Sequence, residues 1–313
     1  SSADPNMVVD HRVGVFEVER VRIAERMSRI APSATLALNA KAKELADAGQ
    51  DVVSLTAGEP DFATPAHVIE AFRDAAARGE TRYTPVPGTP SLRAAIAQRY
   101  TDLGIPVQPS ETIVTTGGKQ AIFNAALALL EPGDEVIIPA PYWLSYADSV
   151  RFTGAAPVPS STTEADGFVI SAESLEEALS AETKMLILNS PSNPTGAVIS
   201  EEQMTGILDV LTSRPEIVLL FDEIYDKLVF PGARFVSPLE LRPDFAPRTV
   251  ITSGGSKAYA MTGLRMGWAV GPEPLIKAMS KLQGQSTSNA TAPSQYALLA
   301  ALEGDQAPVQ EML

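Results

Sequence analysis

Cysteine is absent from this sequence of 313 residues, and histidine occurs only twice, as His11 and His67. Without cysteine the chain can form no disulfide, zinc–thiolate site or iron–sulfur cluster, and it has no thiol nucleophile. Two histidines are too few for a multi-histidine metal centre, so we predict no metal site. Apolar runs of membrane-spanning length are also missing, since even the stretch 121–130 is interrupted by Asn124.

Positive charge is scarce, because 24 lysines and arginines stand against 38 aspartates and glutamates and leave a net charge of −14. A surface of that sign disfavours nucleic acid. Near the N-terminus acidic residues such as Asp10 are mixed with basic ones such as Arg12, unlike a signal peptide. With 45% hydrophobic and 20% charged residues, the composition is typical of a globular protein with a substantial core. We therefore predict a soluble cytoplasmic protein with no nucleic-acid or membrane partner.

Short apolar runs bounded by turn residues recur along the chain and predict β-strands. They lie at Val52–Leu55, Thr112–Thr115, Glu135–Pro139, Met185–Leu188, Ile217–Phe221 and Thr249–Thr252. Helical segments are predicted at Leu36–Ala48, Pro65–Arg78, Pro90–Leu103, Lys119–Leu130 and Glu201–Leu211. Continuously apolar strands that alternate with helices form parallel sheets covered on both faces, so the predicted fold class is α/β.

Capping residues predict where several of these helices begin and end. Thr64 and Thr89 each precede a proline at the first helical position and are predicted N-caps. Ser200 and Gln203 have the spacing of a capping box. Gly49 suits the C-cap of the first helix.

Chemistry-bearing residues follow five of the predicted strands. In chain order these residues are Gly117, Gly118 and Lys119, then Trp143, then Asn193, then Asp222 and Tyr225, and last Ser256 and Lys257 with Arg265 eight positions further on. In open parallel sheets, ligands bind beyond the carboxyl ends of the strands. We therefore expect these side chains to converge on one site.

Each of these features has a plain structural interpretation when taken alone. Gly117 and Gly118 are compatible with a tight strand–helix connection as well as with an anion site, and Gln120 rules out a Walker P-loop. Lys257 alone reads as a loop lysine, and Asp222 alone as a turn or capping residue. Together, a lysine for a Schiff base, an aspartate for a pyridinium and a phosphate-binding turn describe a site for pyridoxal 5′-phosphate (PLP).

Five motifs in chain order resemble the class I aminotransferases of PLP fold type I, in particular the bacterial branch that acts on aspartate and prephenate. The motifs are Leu55–Phe62, Tyr83–Gly88, Ser190–Gly196, Asp222–Tyr225 and Ser256–Gly267. The resemblance runs from about Ser28 to the end of the sequence. It implies a mostly parallel sheet sandwiched by helices, together with a smaller α+β domain that is only partly present.

The resemblance also implies the catalytic roles. Lys257 would bind PLP covalently and then move a proton between the substrate Cα and C4′ of the cofactor. Asp222 would keep the pyridine nitrogen protonated, and Tyr225 with Asn193 would hydrogen-bond the phenolic oxygen. Trp143 would stack on the ring.

Further roles concern the phosphate and the substrate. The implied phosphate ligands are Gly117, Gly118, Lys119, Ser256 and Arg265, joined by Tyr83 from a neighbouring subunit of a homodimer with shared active sites. Gly58, Trp143 and Asn193 are the implied substrate-binding residues. The implied reaction is ping-pong transfer of an amino group from an L-amino acid, with aspartate favoured, to a 2-oxo acid such as 2-oxoglutarate.

The same resemblance divides the chain into three parts: 1–62 as an N-terminal arm and small-domain segment, 63–285 as the large PLP-binding domain, and 286–313 as the start of a C-terminal small-domain segment. Family members clamp the substrate carboxylate with an arginine far toward the C-terminus, yet no arginine follows Arg265. We therefore expect either part of a longer chain or a truncated product. Aromatic or prephenate transamination, other PLP chemistry on this fold and a catalytically impaired fragment stay open as alternatives.

Overall fold

The computed structural model describes residues 21–32, 34–55 and 58–313. His11 and most of the predicted N-terminal arm lie outside these residues, as do positions 56 and 57 of the first motif. The described part of the arm contains a 3₁₀ helix at Glu25–Arg29. Within the described ranges, no helix is both long and apolar enough to cross a bilayer.

Seven strands in the described part of the chain form one sheet. They are β1 (Thr112–Thr116), β2 (Glu135–Ala140), β3 (Ala156–Ser161), β4 (Thr183–Asn189), β5 (Val218–Asp222), β6 (Thr249–Gly254) and β7 (Met266–Val270). Their order across the sheet is β1-β7-β6-β5-β4-β2-β3. Strand β2 is parallel to β3 and β4, β4 to β5, and β5 to β6, whereas β7 runs antiparallel to β1 and β6. The predicted mostly parallel α/β sheet is confirmed.

The strand predictions fail at three places. Val52–Leu55 was predicted as a strand, but it pairs with no other strand among the described residues, and Val53 and Leu55 are exposed. An apolar run alone cannot show that a pairing partner is present. Strands β3 and β7 were missed because Pro157 and Pro159 interrupt the first and Gly267 interrupts the second.

Helices cover the sheet, and each of the five predicted helical segments is present to within a few residues of its predicted bounds. They are α1 (Ala34–Asp47), α2 (Ala66–Ala77), α3 (Pro90–Asp102), α4 (Gly118–Leu129), α5 (Ser145–Thr153), α6 (Ala172–Ala178), α7 (Glu201–Thr212), α8 (Pro238–Leu241), α9 (Glu273–Gly284), α10 (Ala292–Glu303) and α11 (Ala307–Glu311). Single 3₁₀ turns lie at Pro109–Glu111, Pro243–Arg248 and Thr262–Leu264.

The capping predictions have mixed outcomes. The capping box of Ser200 and Gln203 is present at the start of α7. Thr64 is not an N-cap, because its hydroxyl donates to the carbonyl oxygen of Ala260 at 2.6 Å and Pro65 occupies the cap position. Thr89 does precede α3, but its side chain makes no capping hydrogen bond.

The core lies on both faces of the sheet, as the alternation along β4 shows. Leu186 and Leu188 belong to one buried cluster, which includes residues of α3, α7 and α10. Met185 and Ile187 belong to the other, which includes residues of α4, α5 and α9. Because successive strand residues point to opposite faces, the two clusters are the two sides of the sheet. Helix α10 packs against α2 and α3.

A close backbone approach joins β7 to the turn between β1 and α4. A Cβ atom on Gly267 would overlap the backbone of Gly117 and Gly118. Gly117 itself has a φ of +78°, which a residue with a side chain rarely adopts. Because β7 is antiparallel, its first residue lies at the sheet edge where β1 ends, and Arg265 is thereby placed beside this turn.

Substitution of Gly267 by alanine tests this close approach. Gly267→Ala should lower the free energy of unfolding by about 2 kcal/mol or more, because the added methyl group forces the β1–α4 turn away from β7. Gly263→Ala is the matched control, since a Cβ there meets no atom within 4 Å. Urea denaturation measures both, and equal midpoints for the two variants would contradict the packing described.

Candidate active site

A cleft of about 740 Å³ opens at the edge of the sheet where the parallel strands end. Most of the predicted site residues line it: Gly58, Gly118, Lys119, Trp143, Asn193, Asp222, Tyr225, Ser256, Lys257 and Arg265. Gly117 lies just outside the lining, against the guanidinium of Arg265. Tyr83 does not line the cleft and is 90% exposed. The residues that follow the strands therefore come together at one cleft, with Gly117 just outside its lining. Tyr83, which the resemblance assigns to a neighbouring subunit, lies apart from them.

Asp222 is the last residue of β5 and is almost completely buried. Its Oδ2 accepts a 2.6 Å hydrogen bond from the hydroxyl of Tyr146, and its Oδ1 accepts one of 3.2 Å from the backbone N–H of Ile224. Burial raises the pKa of Asp222 to about 6, against the opposing effect of these donors. In the described part of the chain no cationic side chain forms an ion pair with it.

Lys257 follows β6 and reaches into the cleft from the next strand end. Its Nζ donates a hydrogen bond to the carbonyl oxygen of Gly58. Burial lowers the pKa of Lys257, the charge of Glu59 opposes that shift, and the charge of Arg265 adds to it. A lysine with a lowered pKa has a larger fraction of neutral amine, which is the nucleophilic form.

Tyr225 and Asn193 lie together on the wall of the cleft. The side chain of Asn193 forms a hydrogen bond with the Tyr225 hydroxyl. Burial and the charge of Asp222 raise the pKa of Tyr225, so the phenol stays protonated and can donate. Asn189 orients this loop, since its Nδ2 donates to the Asp222 carbonyl oxygen at 2.9 Å and its Oδ1 accepts from the Asn193 N–H at 2.7 Å.

The opposite end of the cleft is cationic. Lys119 and Arg265 lie at the N-terminus of α4, next to the buried Ser256. Burial lowers the pKa of Lys119, and the positive charge of Arg265 lowers it further. Lys119 Nζ also lies 4.9 Å from the centre of the Trp143 ring. Two cations at a helix N-terminus form a site suited to a phosphate group.

Sequence reasoning did not identify two residues that form hydrogen bonds with Asp222. They are Tyr146 and Asn189. Tyr146 is the second residue of α5, three residues after Trp143, and its N–H donates to the Trp143 carbonyl oxygen at 3.0 Å. This spacing was the available signal, but a tyrosine in a helix also reads as a core residue. Asn189 ends β4 beside Asp222, and the parallel pairing of β4 with β5 brings the two together.

The residues present fit PLP. The cationic end offers donors for a phosphate, and the repulsion between Lys119 and Arg265 would be relieved by an anion between them. The buried Asp222, whose hydrogen-bond donors are neutral, offers an anion for a protonated ring nitrogen. Lys257 lines the same cleft as both ends.

Comparisons with known proteins show the family of the chain. Residues 50–313 match the family model described as aminotransferase class I and II. A probable aspartate/prephenate aminotransferase of Rhizobium leguminosarum bv. phaseoli is 48% identical over 285 residues, which cover 91% of this chain and 71% of that protein.

Solved structures give the same result. The aspartate aminotransferase of Rhizobium meliloti superposes with a TM-score of 0.90 at 45% identity, covering 93% of this chain and 73% of that one. The aspartate aminotransferase of Thermus thermophilus, determined with maleate, gives a TM-score of 0.88 at 45% identity over 93% of this chain and 76% of that one.

The buried charge of Asp222 predicts a pH-dependent stability of the cofactor-free protein. Its pKa of about 6 lies above the value of about 3.9 in an unfolded chain, so the folded state binds the proton more tightly and loses stability as the pH rises through this range. Asp222→Asn should therefore raise the free energy of unfolding by about 1–3 kcal/mol at pH 8, and the gain should shrink below pH 6.

Urea denaturation at pH 8 and pH 5 measures this difference. Asp51→Asn removes an exposed carboxylate and is the control, for which we expect no stability difference at either pH. A gain for Asp222→Asn that is the same at both pH values would show that the burial of its charge is not the cause.

Proposed function

Because the chain belongs to the class I and II aminotransferases, a PLP-dependent enzyme family, we propose that it transfers the amino group of L-aspartate to 2-oxoglutarate by a ping-pong mechanism. The observation that carries the proposal is the convergence of Lys257, Asp222 and a cationic anion site on one cleft. Support for aspartate comes from the names of the relatives and from maleate, a dicarboxylate, in the Thermus structure.

PLP, when bound, supplies an electron sink for the electron pair left by the substrate Cα–H bond. Lys257 would hold the cofactor covalently. Its amine, when free, would be the base that accepts the substrate Cα proton and returns it to the cofactor carbon. The lowered pKa of Lys257 increases the fraction of this amine that is neutral, which is the form that accepts a proton.

Asp222 holds a proton at the ring nitrogen, because its buried carboxylate gains a positive partner only from that direction. Tyr225 and Asn193 orient the phenolic oxygen by hydrogen bonding, and Trp143 covers one face of the ring. Lys119, Arg265, Ser256 and the N–H groups of Gly117 and Gly118 bind the phosphate. Gly58, whose carbonyl oxygen accepts from Lys257 without substrate, would bind the substrate carboxylate through its backbone N–H.

Prephenate is the second oxo acid to consider as amino acceptor. The Rhizobium leguminosarum relative is named for aspartate and prephenate together. Both candidate acceptors carry two carboxylates, as the donor aspartate does. We propose aspartate as donor in either case.

Assay of the purified chain tests the function. With PLP and L-aspartate we expect oxaloacetate to form only when 2-oxoglutarate or prephenate is added. Lys257→Ala should reduce turnover at least 10³-fold and abolish the PLP adduct fixed by borohydride, because Lys119, the other lysine that lines the cleft, lies at its phosphate end. Lys277→Ala removes an exposed lysine of α9 as control and should keep both. Turnover without dependence on an oxo acid would exclude transamination.

We further propose a cytoplasmic homodimer in which Tyr83 completes the phosphate site of the partner. Tyr83 is 90% exposed, so its hydroxyl is available to a second copy of the chain. The acidic charge of −14 and the metabolite substrates support a cytoplasmic location.

Mixing two inactive variants tests the shared site. Lys257→Ala and Tyr83→Ala should each lose most activity as pure dimers, because every site lacks one group. After subunit exchange, a mixed dimer contains one site with both Lys257 and Tyr83 intact, so activity should reappear. Sedimentation equilibrium checks the dimer. If the mixed dimers regain no activity, Tyr83 does not complete the active site of the partner subunit.

A further inference from the structure

Tyr146 contacts two residues of the proposed cofactor site from beneath the cleft. Its hydroxyl donates a 2.6 Å hydrogen bond to Oδ2 of Asp222. Its ring meets the indole of Trp143 edge-on, with the ring centroids 5.3 Å apart and the planes at 90°. The side chain is 2% exposed, so both contacts are made inside the protein.

We propose that Tyr146 is a positioning residue that orients Asp222, as an anion, toward the ring nitrogen of the cofactor. Through this contact Tyr146 sets how firmly the enzyme holds a proton on that nitrogen. The inference rests on the proposed function, in which Asp222 binds the ring nitrogen.

The hydrogen bonds of Asp222 favour its ionised form. Oδ2 accepts from Tyr146 and Oδ1 from the N–H of Ile224, so each oxygen faces a donor. A protonated carboxyl group would have to turn its own O–H toward one of these donors. Both contacts therefore oppose the protonation that burial promotes.

Both donors are neutral, which leaves the negative charge in need of a cation. Burial raises the pKa of Tyr146 well above its ordinary value, and the charge of Asp222 raises it further. The phenol is thus a neutral donor at any working pH and never a competing anion. Asp222 lines the cleft, where a protonated ring nitrogen would supply that positive charge.

Tyr146 also fixes Asp222 relative to the ring-stacking residue. The N–H of Tyr146 donates to the carbonyl oxygen of Trp143 at 3.0 Å as α5 begins. Tyr146 therefore contacts both Trp143, which is proposed to cover the cofactor ring, and Asp222, which is proposed to bind the ring nitrogen.

Binding of PLP and of a deaza analogue, in which carbon replaces the ring nitrogen, tests the proposal. Tyr146→Phe keeps the ring and removes the hydroxyl. Its dissociation constant for PLP should rise at least 10-fold, since a hydrogen bond to a charged group is lost. Its affinity for the analogue should change less than 3-fold. Tyr142→Phe removes a hydroxyl four residues earlier and should leave both affinities unchanged.

A pH titration of the loaded enzyme gives a second readout. A weaker proton on the ring nitrogen leaves less positive charge near the lysine-bound carbon, so the absorbance transition of bound PLP should move to higher pH in Tyr146→Phe. In the Asp222→Asn background the same substitution should produce no further movement, because Tyr146 acts through Asp222. Equal movement in both backgrounds would assign Tyr146 a purely structural role and overturn the inference.

The binding data separate this inference from the role of Asp222. If the wild-type protein binds PLP and the deaza analogue equally, Asp222 does not recognise the ring nitrogen. The proposed role of Asp222 and the proposed role of Tyr146 then both fail. If the wild type discriminates and Tyr146→Phe discriminates equally well, the inference alone is overturned. Loss of discrimination in Tyr146→Phe, with wild-type affinity for the analogue, supports it.

Discussion

A negative charge buried without a cation at the end of β5 is the constraint on which the site depends. Removing the Asp222 carboxylate from water is costly, and its neutral donors, Tyr146, the Ile224 N–H and Thr252, offset that cost only in part. Strand β5 is the middle strand of the sheet, with β4 and β6 paired along its two sides. The central strand of the sheet therefore also carries Asp222, and it holds this carboxylate where little water can solvate it.

Backbone packing, rather than burial of charge, sets the other end of the cleft. Because Gly267 brings β7 directly against Gly117 and Gly118, Arg265 and Lys119 come within electrostatic range of each other. The cleft is consequently polar along its length, with an anion at the sheet centre and cations at the β1–β7 rim. A ligand with a basic ring nitrogen and a phosphate has the complementary polarity, and PLP is such a ligand.

Strands buried on both faces could be predicted from sequence, because apolar runs such as 185–188 have no solvent face. The residues that follow them could then be assigned to one edge of the sheet. Pairing partners could not be predicted. Val52–Leu55 was therefore wrongly predicted as a strand, and β7 was missed. Tyr146 escaped because its role depends on a carboxylate far away in the chain, and only the fold brings the two together.

The reversal of direction at β7 constrains the length of the loop that precedes it. Strand β6 ends and β7 begins at the same edge, with Gly254 opposite Gly267 and the Gly255 N–H bonded to the Met266 carbonyl oxygen at 3.1 Å. Residues 255–265 therefore form a loop whose two ends are fixed at the same edge of the sheet. An inserted or deleted residue would displace Lys257 or Arg265 relative to the other. Over evolutionary time, this loop can exchange side chains between those two residues far more readily than it can change in length.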